Sequence, residues 1–347
     1  MPRTLKDATR AVRHLLNPSW RPSEYARDEP RDGIAEAVSV FEQPWWLDAV
    51  APAGWDVAIV HKKDRLLARW PYAVTHRAGL TLVQPPPLSP HLGPWLRITS
   101  NKRAKRLSAT KQLIGDLAEA LPDADVTRFV LHPSHTYGLP LIWSGFELSV
   151  RYTYVVRGLD DLDGVWSRMD GRVRTDVRRA DHVEVAPDGE LAEFIGLHRK
   201  TFERQGVAYP FSEAFMRRLD GALAQRDLRT ILIARDAEGR PNAGAYILWD
   251  GARAYYLMGG IDHDLEVGGA QSKVLWEAMQ LASARGCEAF DFEGSMIASI
   301  ERYFRSFGGE PVPLLEATRL SLRARALLDG REALRALRAR WGGDHDA

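Results

Sequence analysis

Two acidic side chains, Asp291 and Glu293, stand two positions apart in the run Asp291-Phe292-Glu293-Gly294-Ser295. On an extended strand that spacing puts both carboxyls on one face and turns Phe290 and Phe292 toward a core. Carboxylates at the end of a central strand are costly to hold unless they are paired, capped or used. In use, such groups take a proton from a nucleophile or hold an amine. In a purely structural role, Asp291 would pair with a nearby arginine and Glu293 or Ser295 would cap the next helix. That helix, SIERYFRSF, carries Ile297, Ile300, Phe304 and Phe307 on one stripe. Arg305 sits about 100° round from Phe304, at the border of the stripe. There it is expected to reach Asp291 or Glu293, as a fixed cation suited to an oxyanion or a phosphate.

A second chemical feature is the loop Gly268-Gly269-Ala270, which opens another helix. Backbone N–H groups at a helix start, bare of bulky side chains, can cradle a phosphate or pyrophosphate. Glycine before a helix is also simply a turn residue, so both roles stay open. Arginines and lysines cluster three times: Lys102, Arg103, Lys105, Arg106 and Lys111; Arg168, Arg172, Arg174, Arg178 and Arg179; and Arg319 through Arg340. Each cluster is either a solvated helix face or a contact with an anionic partner. His132 and His135 have a spacing that suits a metal, but no third ligand is in view, so they are expected to be structural and no metal is expected. Cys287, the single cysteine, is expected to be a small buried filler.

These side chains must be held by alternating elements. Residues 1–33 read as a peripheral segment with one basic amphipathic helix. FEQPWWLDAV then opens a first block, with Pro44 early in a helix. Three strand-like runs follow at Trp55–Val60, Arg65–Val74 and Gly79–Gln84, then a proline-rich loop, a helix over 101–121 and a strand over 126–132. In the second block, alternation of Phe146, Leu148, Val150, Tyr152, Tyr154 and Val156 predicts a half-buried strand. Helices between 161 and 226 lead to a meander, LRTILIAR, AGAYILW and RAYYLMGG, then a helix over 270–285, the EAFDFEG strand, the SIERYFRSF helix and the strand VPLLEAT. Both blocks share the order meander, loop, helix, strand. The expected fold class is therefore α/β with mixed sheets, not a doubly wound parallel sheet. The expected divisions are 1–33, 34–150, 151–318 and a C-terminal Arg-rich helix over 319–347.

Composition narrows the field. The chain has 347 residues, is 45% hydrophobic and carries a net charge of +1. It is too apolar to be disordered throughout, and it has no global field to attract nucleic acid. No apolar run approaches a membrane span, and the N-terminal residues lack the apolar core of a secretory signal. One cysteine excludes a disulfide framework, so a cytoplasmic address is expected by default. The motifs GxGxxG after a strand, GxxxxGK[ST], HExxH and GxSxG are absent from the sequence.

The order DFEGS and IERYFRSFGG, with AYYLMGG and GGAQSKVLWEAM before it, resembles the GNAT-like acyltransferases of the Fem type. These are the aminoacyl-tRNA-dependent transferases that build peptidoglycan bridges, together with their relatives. RVRTDVRRA resembles the family's arginine-rich segment, and FEQPWWLDAV, WPYAV and PPPLSPHLGPW resemble first-domain segments of its uncharacterised branch. Over residues 38–318 the resemblance implies two tandem GNAT-like domains with an active cleft between them. It implies an N-acyltransferase that uses an activated acyl donor as co-substrate, aminoacyl-tRNA ahead of acyl-CoA, with no tightly bound cofactor. The acceptor would be an amine on a small molecule or a cell-envelope precursor. Arg305, Asp291 and Glu293 would be catalytic. Gln43, Trp45, Tyr72, Arg174, Arg178, Tyr256 and Ser295 would contact substrate, and Gly268, Gly269 and Ala270 the donor. Where the bridge-building enzymes carry Lys in FKxxFG, this chain has Arg305, which keeps the charge but cannot give up a proton near neutral pH. The heptad-patterned arm of some members is missing, and EVGGAQ only partly matches the GNAT pyrophosphate loop. A non-catalytic module binding a cell-wall precursor, a polysaccharide or RNA is the alternative.

Overall fold

The computed structural model describes residues 39–52, 54–265, 267–294 and 296–328. The expected N-terminal helix, most of the C-terminal one and Ser295 therefore lie outside the described residues. Two compact units share the chain: one runs to Val150 and resumes at Leu315, and the other is Arg151–Leu314.

The first unit opens with α1 (Pro44–Val50), whose first position is the proline, as the missing N–H there predicts. The strands β1 (Trp55–Lys62), β2 (Arg65–Arg77) and β3 (Leu80–Gln84) form an antiparallel meander. In the proline-rich loop only β4 (Trp95–Leu96) pairs, against β2. The crossover helix α2 (Arg103–Ala120) returns the chain to β5 (Val126–Val130), which lies parallel to β3. A short helix, α3 (Leu139–Trp143), completes this part. Trp46, Trp55, Trp70, Phe41 and Phe129 are buried at its core, Trp70 and Phe129 with ring centroids 4.8 Å apart.

In the second unit, β6 (Glu147–Arg157) leads to α4 (Leu162–Arg168), α5 (Gly171–Arg179) and β7 (Glu184–Ala186). Asp161 and Asp170 cap α4 and α5 by accepting the N–H groups of Gly164 and Arg172. The next helices are α6 (Leu191–Arg204) and α7 (Glu213–Ala224). A second antiparallel meander follows: β8 (Arg229–Arg235), β9 (Pro241–Asp250) and β10 (Arg253–Ile261). The crossover helix α8 (Ala270–Ala284) returns the chain to β11 (Ala289–Asp291), parallel to β10. β6 closes the other side of β11 in the antiparallel sense. Helix α9 (Ala298–Ser306) comes next.

The last strand, β12 (Glu310–Leu320), ends by pairing antiparallel with β5 of the first unit. Residues 315–318, expected in the second domain, thus belong to the first. Each unit is accordingly a meander, a crossover helix, a parallel strand and an antiparallel closing strand. The first takes its closing strand from the end of the described chain, and the second from β6. This is the mixed α/β class, with the same element order in both units.

Two expectations of burial fail in detail. On β6 the expected alternation does not hold: Phe146 just before it and the run Thr153–Val156 are buried, while Val150 and Tyr152 are exposed. Ile297, placed on the core stripe of α9, is exposed at its N-cap position. A residue ahead of the first helical turn does not follow the helix period, so only Phe304 and Phe307 are buried, with Ile300 packed against the core.

The crossover in the second unit depends on Gly269. Its φ is +90°, and a Cβ there would overlap the carbonyl oxygen of Asp176 on α5. Gly269→Ala is therefore expected to destabilise the second unit by about 1–3 kcal/mol, measured by chemical denaturation. Gly196→Ala, on α6 where a Cβ meets nothing within 4 Å, is the control that should not destabilise it.

Candidate active site in the second unit

The parallel strands β10 and β11 pair only from Arg253↔Ala289 to Tyr255↔Asp291. Beyond that point β10 continues to Ile261 and bulges between Tyr256 and Met258. Their C-terminal ends separate there. A parting of parallel strands beside a crossover helix is where ligands enter open α/β sheets.

Asp291 closes the pairing. It is 2% exposed, and its carboxylate is fully engaged. Oδ1 accepts the Thr153 hydroxyl of β6 and the Glu293 N–H at 2.9 Å; Oδ2 accepts Arg253 Nη1 of β10 at 3.2 Å. Burial pushes the Asp291 carboxyl upward, while Thr153 and Arg253 pull against that shift. The structural alternative for Asp291 thus matches these contacts: it pairs with an arginine and holds a turn.

Glu293 differs in every respect. The turn puts it at φ +56°, followed by Gly294 at +68°, where a Cβ would overlap the Tyr152 carbonyl. Its Oε1 is buried without a hydrogen-bond partner among the described residues. Burial, and then the neighbouring Asp291 charge, hold this carboxyl well above the usual range. It does not cap α9, whose N-cap position is Ile297. A half-buried carboxyl with an open oxygen and a raised pKa is suited to proton transfer.

Helix α9 is fixed by aromatic packing. Phe292 stacks on Phe304 at 4.7 Å and lies 5.6 Å from Phe307, and Tyr303 meets Phe307 edge-on at 5.2 Å. The exposed face then carries Glu301 and Arg305. The expected contact of Arg305 with Asp291 or Glu293 is not present. Arg305 Nε donates to Glu301 Oε1 at 2.9 Å, which also accepts the Tyr154 hydroxyl at 2.9 Å. Residues four apart on one helix face meet more readily than two elements joined by a turn. The same arrangement holds the Tyr154 hydroxyl, through burial and then Glu301, above its ordinary pKa.

The start of α8 faces the parted strands. The Ala270 N–H is bonded to the Val267 carbonyl at 3.3 Å, so it is not open as expected. At the next two positions, the N–H groups of Gln271 and Ser272 have no partner among the described residues. The Arg179 guanidinium lies across Gly268, where any side chain would displace it. Gln271 Nε2 donates to the Tyr256 hydroxyl at 3.0 Å, its Oε1 being buried without a partner, and Ser272 Oγ meets the Tyr303 hydroxyl at 3.2 Å. A helix start with a guanidinium beside it favours an anion.

Of the other expected site residues, Arg174 and Arg178 share α5 with Arg179, and Arg178 lies over the Trp166 ring at 5.4 Å. Gln43, Trp45 and Tyr72 belong to the first unit. Tyr72 is buried there, its hydroxyl held by Asp56. His132 bonds Ser134 at 2.9 Å, and burial pushes His135 down to about 4. Among the described residues no three His, Cys, Asp or Glu side chains form a metal group. Cys287 is buried and its thiol is pushed up by burial.

With this geometry in place, the similarities can be weighed. Residues 167–305 match the acetyltransferase (GNAT) domain family. Over that stretch the chain is similar to GNAT acetyltransferase domains, and its fold is Fem-like. The fold matches the crystal structure of FemX with a TM-score of 0.61 at 14% identity, over 83% of this chain and 94% of that one. It matches L-PGS from Bacillus licheniformis at 0.54 and 10% identity, covering 91% and 98% of the two chains. It matches the C-terminal domain of a putative lysylphosphatidylglycerol synthetase from Agrobacterium fabrum at 0.53 and 11% identity, covering 94% and 96%. No curated protein sequence is significantly similar to the chain. No helix among the described residues is long and apolar enough to cross a membrane.

The sequence did not single out Tyr154, Thr153, Arg253, Gln271, Ser272 or Glu301. Only Glu301 left a signal, its spacing of four from Arg305. Asp291→Asn is expected to cost about 3–5 kcal/mol of stability, because it leaves the Arg253 guanidinium without its buried counter-charge. Adding Arg253→Leu to Asp291→Asn should recover part of that loss in urea melts.

Proposed function

We propose that the chain transfers an aminoacyl group from aminoacyl-tRNA to an amine acceptor, a small molecule or cell-envelope precursor, with acyl-CoA as the alternative donor. The observation that carries this reading is the parted β10–β11 edge, which holds an open carboxyl, Glu293, and an anion seat at the start of α8. A cytoplasmic setting follows from the donor. FemX and the lysylphosphatidylglycerol synthetases are similar in fold, which supports a carrier-bound aminoacyl donor. No tightly bound cofactor is needed.

In this reading the Arg179 guanidinium and the N–H groups of Gln271 and Ser272 hold a donor phosphate. Arg174 and Arg178 extend the basic face of α5 toward the rest of the donor. Tyr256 orients Gln271, and Gly268–Ala270 border the donor. The acceptor nitrogen attacks the acyl carbon while Glu293, as carboxylate, takes its proton. A C–N bond forms, the acyl–oxygen ester bond breaks, and the proton passes to the leaving ribose oxygen. Arg305 faces the charge that develops on the carbonyl oxygen once the acceptor draws it from Glu301. Asp291 positions Glu293 and does not react.

The test is donor consumption. The purified protein with amine acceptors is expected to release free tRNA from a mixed aminoacyl-tRNA pool and to leave acetyl-CoA intact. Consumption of acetyl-CoA alone would assign the other donor. Glu293→Gln should lower turnover by about 10²–10⁴. Because the folded-state pKa of Glu293 is raised, the folded chain holds its proton longer than the unfolded chain. Stability from this group is present at acid pH and lost as pH rises past the ordinary glutamate range. Glu293→Gln should therefore melt no earlier than the parent at neutral pH, while the parent's rate falls on acidification from above that range. Arg305→Ala should cost about 10²-fold in turnover, with partial recovery in Arg305→Lys. Its melting temperature should hardly move, because the Glu301 pair is exposed.

A further inference from the structure

The first unit has an exposed surface that the transfer reaction does not use. Between Asp64 and Asp116 the chain contains no acidic residue. Within that stretch the first three turns of α2 and the residue before it present Lys102, Arg103, Lys105, Arg106 and Lys111, all exposed and none in an ion pair among the described residues. Leu107 lies one turn before Lys111 on the same face and is also exposed. The short helix α3 packs against α2 and adds three large apolar side chains to solvent: Leu139, Ile142 at 49% and Trp143 at 57% exposure. The two sets meet where the Lys111 ammonium sits 4.8 Å from the centre of the Trp143 ring.

We propose that this α2–α3 face docks the protein on an anionic lipid surface. Five cations in ten residues without a counter-charge match the negative headgroup layer. An exposed indole with a lysine over it is the amphipathic pair that settles at the headgroup boundary. Leu107, Leu139 and Ile142 decide between lipid and RNA. Phosphates would satisfy the cations alone, and bases would stack on Trp143, but aliphatic side chains offer no stacking face and gain only from hydrocarbon. Isolated exposed apolar residues need no explanation, but four beside a basic face do. Anchoring is peripheral: the buried apolar area is small, so binding depends on charge and is salt-sensitive.

Flotation of the full chain with vesicles tests this independently of any acyl donor. The full chain should float with phosphatidylcholine vesicles containing about 30% phosphatidylglycerol, should not float with phosphatidylcholine alone, and should be released by high salt. The Arg-rich C-terminal segment can also attract anionic vesicles, so the variants lie on α2 and α3. Arg103→Ala and Arg106→Ala should each weaken partitioning about fivefold. Trp143→Ala should weaken it about tenfold. All three sites are exposed, and unchanged melting temperatures confirm that folding is intact. Absence of flotation, or flotation indifferent to all three substitutions, overturns the proposal. So does tRNA binding that these substitutions abolish when vesicle binding is not affected.

Discussion

One buried carboxylate organises the second unit. Asp291 reaches the Thr153 hydroxyl on one neighbouring strand, the Arg253 guanidinium on the other and the Glu293 amide ahead of it. A charge at this depth is tolerable only because each of its bonds is made. Its position is also the last paired position of β10 and β11, so the bond network ends where the sheet opens. The turn it holds forces Glu293 into the left-handed region, an unfavourable conformation for a side chain of that kind. The residue that carries this strain at the site is also the carboxyl with an open oxygen.

The same turn explains the aromatic packing beyond it. Phe292 points away from the two acids into Phe304 and Phe307, so the position between the acids fixes the helix that follows them. Gly308, at φ +82°, ends that helix, and Gly309 lets the chain pass close to the Phe304 carbonyl. The FRSFGG run is thus an anchor and a stop, with Arg305 carried between them on the exposed side. Its charge is held by Glu301 and, through Glu301, tied to Tyr154 of β6. A cation on such a tether can exchange one anion for another at small cost, because the pair is solvated on one side.

Much of the fold was legible in the sequence because its signals are local. The meanders follow from short apolar runs broken by turn residues, and the crossover helices from their lengths and starts. What was not legible depends on partners distant in the chain. Whether Val150 and Tyr152 are covered depends on what packs over the middle of β6, which no alternation states. That residues 315–320 pair with β5 depends on a strand some 190 residues earlier (Ala317↔Phe129, for example). At the candidate site, the acids, the glycine loop and the arginine were singled out by type and spacing. That Asp291 is bonded on each side while Glu293 keeps an open oxygen was not legible, because the two look alike until the strand is seen to end at Asp291. Arg305 was assigned the wrong partner because the turn to the acids looked shorter than one helical turn to Glu301.

The repeated topology gives the site its logic. Each unit closes its meander with a crossover helix and a parallel strand, and a parallel pair delivers two strand ends and one helix start to the same edge. In the second unit these ends carry N–H groups without a partner among the described residues at the start of α8 and, two residues past β11, a carboxyl with an open oxygen. In the first unit the equivalent helix, α2, begins with Lys102, Arg103, Lys105 and Arg106 instead of glycines. Cations at a helix start oppose its dipole and lower its stability. One architecture thus carries two kinds of helix start: a glycine-bared one with unpartnered N–H groups, and a cationic one with no counter-charge among the described residues.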